Sequence, residues 1–317
     1  MSDLSMPAVS ALYRYPVKGL SAQPLGIVAL RAGEPMPFDR VWALARPGSS
    51  VNPANPSWAK KGHFVTLMLD EGLARVRSAL DPQTLRLTIH EADRARLSVN
   101  LADAEGRAAA EAFLHGLTPH LAATPRLVRA QSGHFMDKPD PLISLINLAT
   151  LRSLEQQWGV KLDKLRFRAN IYIDGVEPWA EFDWIGQDIS IGAAEFTVDR
   201  RNGRCAAINV NPATGLRDLD IPGRLRSQFG HKDLGVYLVA RNDALLSVGD
   251  AVDPPDVEPL LRAVATPDAE AAARYICNGC YYIYAERQDS PGFAGLPNDW
   301  QCPDCGTGKT SFRPVAG

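Results

Sequence analysis

The alternation of apolar and polar residues predicts a series of short β-strands over the first 135 residues of the chain. Apolar, β-branched and aromatic residues cluster there in segments bounded by turn residues, as expected of strands that bury one face. The predicted strands cover residues 25–31, 41–46, 64–69, 85–90 and 96–100. Many short strands with few helical periods indicate a β-barrel or a β-sandwich.

Two segments have a helical period instead. The first is the alanine-rich segment 104–117, and the second is Leu148–Trp158, in which apolar residues recur every three or four positions. Asn147 stands where an N-cap belongs, and Gly159 stands where a helix stop belongs. Helices are therefore the minority, and the pattern predicts a mainly β fold with some α.

Further strands are predicted in the second half of the chain, at residues 165–174, 194–200, 235–240 and 245–252. The following segment, 254–273, mixes proline, alanine and acidic residues without a sheet pattern. Such a composition predicts a linker.

Composition and charge exclude several functional classes. The chain has 317 residues, of which 45% are hydrophobic, and a formal net charge of −2. It has no Lys/Arg cluster of the kind that follows a phosphate backbone, so we expect no nucleic-acid partner. Its apolar runs are far shorter than the roughly 20 residues that span a bilayer, and the N-terminus lacks a signal-peptide pattern. We therefore expect a cytoplasmic protein without a membrane partner.

The cysteines predict a metal site near the C-terminus. Four of the five cysteines form two CxxC pairs, Cys277 with Cys280 and Cys302 with Cys305. Two such turns facing each other make a tetrahedral four-sulfur site, which suits iron or zinc. Disulfides are not expected in a cytoplasmic protein.

The residues around these cysteines resemble those of rubredoxins. The string LPNDWQCPDCG is close to the rubredoxin pattern, and Tyr275, Tyr284, Trp300 and Phe312 match the aromatic residues of the small rubredoxin core. Two features differ, because Tyr281 replaces the usual glycine after the second cysteine and the loop between the pairs is short. The resemblance implies a mononuclear iron site; zinc remains the alternative, since a zinc ribbon tolerates both differences.

Cys205 stands apart from the other cysteines, in the segment RNGRCAAINVNPATG. A lone cysteine is commonly a small buried apolar residue. Arg200, Arg201 and Arg204 lie close to it in sequence, however, and guanidinium groups favour a thiolate. The sequence therefore leaves both a structural and a ligating role open.

The chain from about residue 8 to residue 253 resembles the MOSC family, whose relatives include the mitochondrial amidoxime-reducing component. The resemblance lies in several motifs that occur in a consistent order, which are YRYPVKGL, FDRVW, ISLINLATLRSLE, RFRANIYIDG, GRC, NPATG and GVYLVA. It implies three parts: a MOSC N-terminal β-barrel-like domain (1–135), a MOSC β-barrel domain (136–253) and, after the linker, a rubredoxin-like metal domain (274–317).

The family resemblance also implies roles for individual residues. Cys205 would ligate the molybdenum of a molybdopterin cofactor, a soft thiolate on a high-valent metal. Asp137 would be a catalytic acid near the metal, although an aspartate in this proline-containing segment is often a turn residue. The expected cofactor-binding residues are Lys18, Arg40, Arg168, Asn170 and Arg204. Arg168 and Asn170 are expected to share one face of a strand.

Together these features predict a molybdenum-dependent oxidoreductase. It would reduce small N-hydroxylated or N-oxide substrates, with electrons relayed through the rubredoxin-like iron. An NAD(P)H-dependent flavoprotein reductase is the expected upstream partner, because the chain has no glycine-rich dinucleotide motif. One alternative is a sulfur carrier with a persulfide on Cys205. Another is a non-enzymatic cofactor-binding module with a zinc ribbon.

Overall fold

The computed structural model describes residues 6–257, 273–286 and 292–315. Most of the predicted linker 254–273 lies outside these residues. The strands in chain order are β1 Ala8–Arg14, β2 Gln23–Leu25, β3 Ile27–Leu30, β4 Trp42–Ala45, β5 Val76–Leu80, β6 Arg86–Glu91, β7 Arg94–Asn100, β8 Arg126–Arg129, β9 Ile143–Asn147, β10 Ile171–Asp174, β11 Asp188–Ile191, β12 Ala194–Gly203, β13 Asp233–Ala240, β14 Ala244–Ser247, β15 Val252–Asp253, β16 Arg274–Cys277, β17 Ile283–Ala285 and β18 Phe312–Pro314.

Helices are fewer and shorter than strands. The α-helices are α1 Ala104–Gly116, α2 Leu148–Trp158 and α3 Ile221–Phe229. The 3₁₀ helices are Lys61–His63, Glu71–Arg75, Lys164–Phe167, Ala180–Phe182, Ala206–Asn209, Phe293–Gly295 and Lys309–Ser311. In the described part of the chain, we find no helix long and apolar enough to cross a lipid bilayer. The mainly β architecture with some α that the sequence predicts is confirmed.

The largest sheet has the strand order β15-β11-β12-β13-β9-β10-β1-β2. An antiparallel bridge between Ala8 and Ala251 connects β1 to the residues just before β15, so the sheet curls back on itself. The first strand thus pairs with strands from the second half of the chain. The predicted domain boundary at residue 135 stays a prediction, and the pairing of β1 with β10 crosses it.

The remainder of the N-terminal half forms a separate apolar core. The three-stranded sheet β5-β6-β7 and the pair β4-β8 contribute to it. The apolar face of α1 packs into the same core through Ala110 and Leu114. The three-stranded sheet β17-β16-β18 belongs to the C-terminal unit, residues 273–286 and 292–315, which carries the paired cysteines.

Helix α2 has the bounds that the sequence predicts. The Asn147 side chain accepts a hydrogen bond from the backbone N–H of Ala149, and Gly159 adopts the left-handed conformation that ends the helix. Helix α1 also lies where the sequence predicts it.

Two predicted strands are wrong in part. Of residues 64–69, Phe64 alone forms a β-bridge, with Ala45, and residues 67–69 form a turn. The Thr66 backbone N–H donates to the Asp70 carboxylate, so the segment leaves the strand geometry after Val65. Arg168 ends the 3₁₀ helix Lys164–Phe167 with a φ of 54°, and β10 begins only after Asn170. Arg168 and Asn170 therefore do not alternate on one strand face, because both precede β10 and Arg168 itself has a left-handed backbone conformation.

Candidate functional site

The four paired cysteines form one compact cluster. Their sulfur atoms lie within 4.8 Å of one another, and all four side chains are fully buried. The Sγ atoms of Cys277 and Cys305 are 3.7 Å apart, and those of Cys280 and Cys302 are 3.5 Å apart. A tetrahedral tetrathiolate with metal–sulfur bonds of about 2.3 Å requires sulfur separations of this size. The geometry confirms the predicted metal-binding cluster.

Aromatic rings surround this cluster as predicted. Tyr284 and Trp300 meet edge to face, with ring centroids 5.8 Å apart, and Phe312 packs against Trp300 at 5.3 Å. Phe293, which the sequence analysis did not single out, stacks on Tyr275 at 4.2 Å. The small apolar core of the C-terminal unit therefore consists of aromatic rings in stacked, tilted and edge-to-face contacts.

A cavity of about 280 Å³ holds most of the predicted site residues outside the cluster. The structure brings together six of the seven predicted residues at its wall: Lys18, Arg40, Asp137, Arg168, Arg204 and Cys205. Asn170 does not line the cavity, because its amide oxygen accepts hydrogen bonds from Ser144 and its amide nitrogen donates to the Tyr13 carbonyl. A second cavity of about 260 Å³ adjoins the first and shares Gly19, Leu67 and Arg168 with it.

Cys205 lies at the end of β12, where the strand is irregular. The register with β13 shifts between Val198 and Arg200 and again between Arg201 and Gly203. Such bulges change the direction of successive side chains. Cys205 follows in an extended conformation, directly before the 3₁₀ helix Ala206–Asn209, and its side chain is 9% exposed.

Basic side chains dominate the cavity wall. Nine lysines and arginines line it against two aspartates among the described residues, so its potential suits an anion. The arginines that flank Cys205 in sequence, Arg200 and Arg201, are part of this wall. Lys61, Lys232 and Asp304 also line it, although no sequence motif predicts them as site residues.

Asp137 bridges two lysines at this wall. Its carboxylate lies 2.6 Å from the Lys18 Nζ and 3.2 Å from the Lys61 Nζ. Burial of the carboxylate by itself would raise the pKa of Asp137. The two ammonium groups outweigh burial and hold that pKa well below its usual range. Asp137 is therefore a carboxylate at neutral pH in this arrangement, and its predicted role as an acid stays a prediction.

Arg40 and Arg168 stack on one tyrosine. Their guanidinium carbons lie 4.3 Å and 4.4 Å from the centroid of the buried Tyr15 ring. Burial and the neighbouring Arg40 charge lower the pKa of Arg168 to about 10, so it is still charged at neutral pH. Arg40 pairs with the Asp39 carboxylate, whereas no carboxylate pairs with Arg168 among the described residues, so the Arg168 charge favours an anionic ligand at this point.

Two buried polar atoms at the cavity have no hydrogen-bond partner in the described part of the chain. They are the Arg204 Nη2 and the Thr66 hydroxyl. The other donors of Arg204 are used, since its Nε donates to the Leu234 carbonyl at 2.8 Å and its Nη1 to the Phe167 carbonyl at 3.0 Å. Unsatisfied buried donors are costly, so their position indicates a ligand rich in hydrogen-bond acceptors.

The four-cysteine cluster and the cavity are neighbours. Cys205 packs in the same apolar cluster as Met68 and the four paired cysteines. Asp304, which lies between Cys302 and Cys305, forms part of the cavity wall. The C-terminal unit therefore contributes Asp304 to the cavity wall.

Comparisons with known proteins agree with this architecture. The model of the MOSC N-terminal beta barrel domain matches residues 6–118, and the model of the MOSC domain matches residues 132–253. Mitochondrial amidoxime-reducing component 1 from Homo sapiens is 24% identical over 294 residues, which cover 77% of this chain and 82% of that protein.

Two further relatives match smaller parts of the chain. Molybdenum cofactor sulfurase from Danio rerio is 40% identical over 96 residues, which are 28% of this chain and 11% of that protein. The chain thus spans only a small part of such sulfurases. A probable rubredoxin from Methanothermobacter thermautotrophicus is 38% identical over 61 residues, which are 17% of this chain and 97% of that protein. The chain therefore belongs to the MOSC family, with a MOSC N-terminal beta barrel domain, a MOSC domain and a C-terminal rubredoxin-like four-cysteine unit.

Proposed function

We propose that this protein is a molybdenum-cofactor-dependent reductase of small N-hydroxylated or N-oxide compounds. The observation that carries the proposal is that the rubredoxin-like unit packs against Cys205 and contributes Asp304 to the cavity wall. A one-electron metal site has a clear use beside a redox cofactor and none beside a purely structural cavity. The likeness to a protein named for amidoxime reduction supports this substrate class.

The residues of the cavity fit the molybdenum cofactor. Its phosphate is an anion and its pterin is rich in hydrogen-bond acceptors, as the basic wall and the unpartnered Arg204 Nη2 require. Lys18, Arg40, Arg168 and Arg204 would hold these groups, and Cys205 would supply the thiolate ligand. When bound, the cofactor would supply the two electrons that remove an oxygen atom from the substrate, and this oxygen would leave as water. Asn170 would act on the cofactor only indirectly, through Ser144.

Asp137 is the proposed proton donor, and its contacts with Lys18 and Lys61 determine whether its pKa suits that role. A general acid works best when its pKa lies near the working pH. Lys18 and Lys61 lower the pKa of Asp137, so contact of either lysine with another anion, such as the cofactor phosphate, would let that pKa rise toward the working pH. The carboxylate therefore positions both lysines before the cofactor binds.

Electrons would enter through iron at Cys277, Cys280, Cys302 and Cys305. The proposed upstream partner is an NAD(P)H-dependent flavoprotein reductase in the cytoplasm. A second candidate function, sulfur transfer through a Cys205 persulfide, is favoured by the likeness to the sulfurases. Sulfur transfer, however, would not require a one-electron metal site next to Cys205.

The test of this function is the metal content and chemistry of the purified full chain. We expect about one iron and one molybdenum per chain, the red absorption of a ferric tetrathiolate, and reduction of an aryl amidoxime to the amidine by a reduced viologen dye. Zinc without molybdenum, or a persulfide on Cys205 in the mass spectrum without amidoxime reduction, would contradict the proposal.

Replacing Arg204 with Lys should lower the molybdopterin content of the protein about tenfold. Lysine cannot keep the two backbone contacts of Arg204 and still aim a donor at the cavity, and one charge-assisted hydrogen bond contributes about 1.5–3 kcal/mol. The measurement is the fluorescence of the released, oxidised pterin. The control is Arg96→Ala, since Arg96 is exposed and pairs with Glu91 at 3.5 Å, away from the cavity. An unchanged pterin content in Arg204→Lys would remove Arg204 from the site.

A further inference from the structure

A single backbone hydrogen bond joins the loop of Cys205 to the loop of Cys280. The N–H of Ala206, the residue after Cys205, donates to the carbonyl of Gly279, the residue before Cys280, with an N···O distance of 2.8 Å. Each partner is thus bonded covalently to a residue whose thiol is a proposed metal ligand.

The local backbone leaves the Ala206 N–H available for this contact. Ala206 is the first residue of the 3₁₀ helix Ala206–Asn209, and the N–H groups in the first turn of a helix have no partner within it. Gly279 permits the close approach on the other side. A Cβ on Gly279 would lie 3.1 Å from the Met68 sulfur, which packs against this loop.

Tyr281 anchors the same loop to the MOSC domain. Its hydroxyl donates to the Asp220 carboxylate and accepts from the Asn209 amide at 3.1 Å, and its carbonyl accepts from Arg226 at 2.8 Å. The φ of Tyr281 is 62°, a conformation that favours glycine. The residue that departs from the usual rubredoxin glycine is therefore one of those that join the two parts.

Two backbone hydrogen bonds join the described residues of the C-terminal unit to the rest of the described chain. One is the Ala206–Gly279 bond, and the other runs from the Gly62 N–H to the Cys305 carbonyl at 2.8 Å. The second bond begins at Gly62, next to Lys61, and this segment is far from Cys205 along the chain. Of these two bonds, only the first joins residues that each neighbour a proposed metal ligand; a longer path runs from the Cys280 carbonyl through Lys232 to the Arg204 N–H.

We propose that the Ala206–Gly279 hydrogen bond is the electron route from the iron site to the molybdenum site. This inference rests on the proposed function. The rate of electron tunnelling falls steeply with the distance between donor and acceptor, and it falls less steeply through covalent and hydrogen bonds than through empty space. For each electron, ferrous iron becomes ferric and the molybdenum centre is reduced by one unit. Two electrons and two protons convert an amidoxime to an amidine and water, and an external one-electron reductant restores the iron.

The test replaces Ala206 with Pro, which removes this one donor. Proline is tolerated at the first position of a helix, and Cys205 is already extended, as a residue before proline should be. The full chain carrying both metals is reduced, freed of excess reductant and mixed without oxygen with an aryl amidoxime. The return of the ferric absorption is then followed in time. We expect it to be at least tenfold slower in Ala206→Pro, with the iron spectrum and the iron reduction potential unchanged.

The matched control is Lys164→Pro, which places proline at the first position of another 3₁₀ helix after an extended residue. It should regain the ferric absorption at the rate of the unmodified protein. A second variant, Tyr281→Gly, loosens the contact from the other side and suits the φ of 62°. It should also be slower, and it decides the question if Ala206→Pro does not fold.

Re-oxidation at the unmodified rate in variants that carry both metals would overturn the route. The proposed function fails in a different way. In that case the ferrous centre of the unmodified protein, with both metals bound, would not be re-oxidised when the amidoxime is added.

Discussion

Replacing Cys205 with Ser or Ala is expected to lower the rate of amidoxime reduction by at least about a thousandfold. Cys205 is the cysteine at the cavity wall, and the basic side chains around it can hold an anionic cofactor without contributing a sulfur ligand. The loss should therefore lie in turnover and should be similar for both variants, because neither has a thiolate. The measurement is the steady-state rate with a reduced viologen dye, divided by the molybdenum content.

The four-cysteine site serves as the internal control for these variants. Its sulfur atoms belong to the C-terminal unit, and Cys205 is not among the four clustered cysteines. The ferric absorption and the iron content should therefore match those of the unmodified chain. Full turnover per molybdenum in Cys205→Ser would show that the thiolate is not the ligand, and loss of the iron spectrum would show that Cys205 acts on the fold instead.

Local patterns were sufficient where neighbouring residues decide the structure. The bounds of α2 follow from its apolar period and from the caps Asn147 and Gly159, all of which are close in sequence. The CxxC turns likewise predict the four-sulfur cluster because each turn brings its own two sulfurs together.

Contacts between distant segments decide what the sequence could not show. The alternating residues 64–69 look like a strand, but Met68 is buried against the C-terminal unit and Thr66 is held by Asp70. Lys61 and Lys232 reach the cavity from segments far from Cys205 along the chain. The pair Lys60–Lys61 in a proline-containing loop was the available signal for one of them, and nothing in the local sequence distinguishes Lys232.

Tyr281 is a second residue whose role depends on contacts with distant segments of the chain. The sequence shows that it departs from the usual rubredoxin glycine, a difference that a zinc ribbon would also tolerate. The structure gives the departure a physical reason, because the tyrosine hydroxyl contacts Asp220 and Asn209 in the MOSC domain. The left-handed backbone conformation of Tyr281 is unfavourable for a tyrosine, but it comes with hydrogen bonds that hold the C-terminal unit against the MOSC domain.

Exchanging iron for zinc at the four cysteines should strongly slow amidoxime reduction by the natural electron donors while preserving the fold. Zinc adopts the same tetrahedral four-sulfur geometry with bonds of about 2.3 Å, but it has no redox chemistry. The docking contacts of Tyr281 and Gly279 involve no metal atom, so the thermal unfolding midpoint should stay within a few degrees of that of the iron form. The red absorption should disappear.

Activity with the two electron donors separates a relay from a structural role for the C-terminal unit. With NADH or NADPH and the flavoprotein reductase, the zinc form should be at least about a hundredfold slower than the iron form, because no other one-electron site is proposed in the chain. A reduced viologen dye, which can deliver electrons without the iron, should still drive amidoxime reduction. The iron form prepared by the same metal-exchange procedure is the control. Equal rates for the zinc and iron forms with the natural donors would mean that the four cysteines hold a structural metal, and that electrons reach Cys205 without passing through the C-terminal unit.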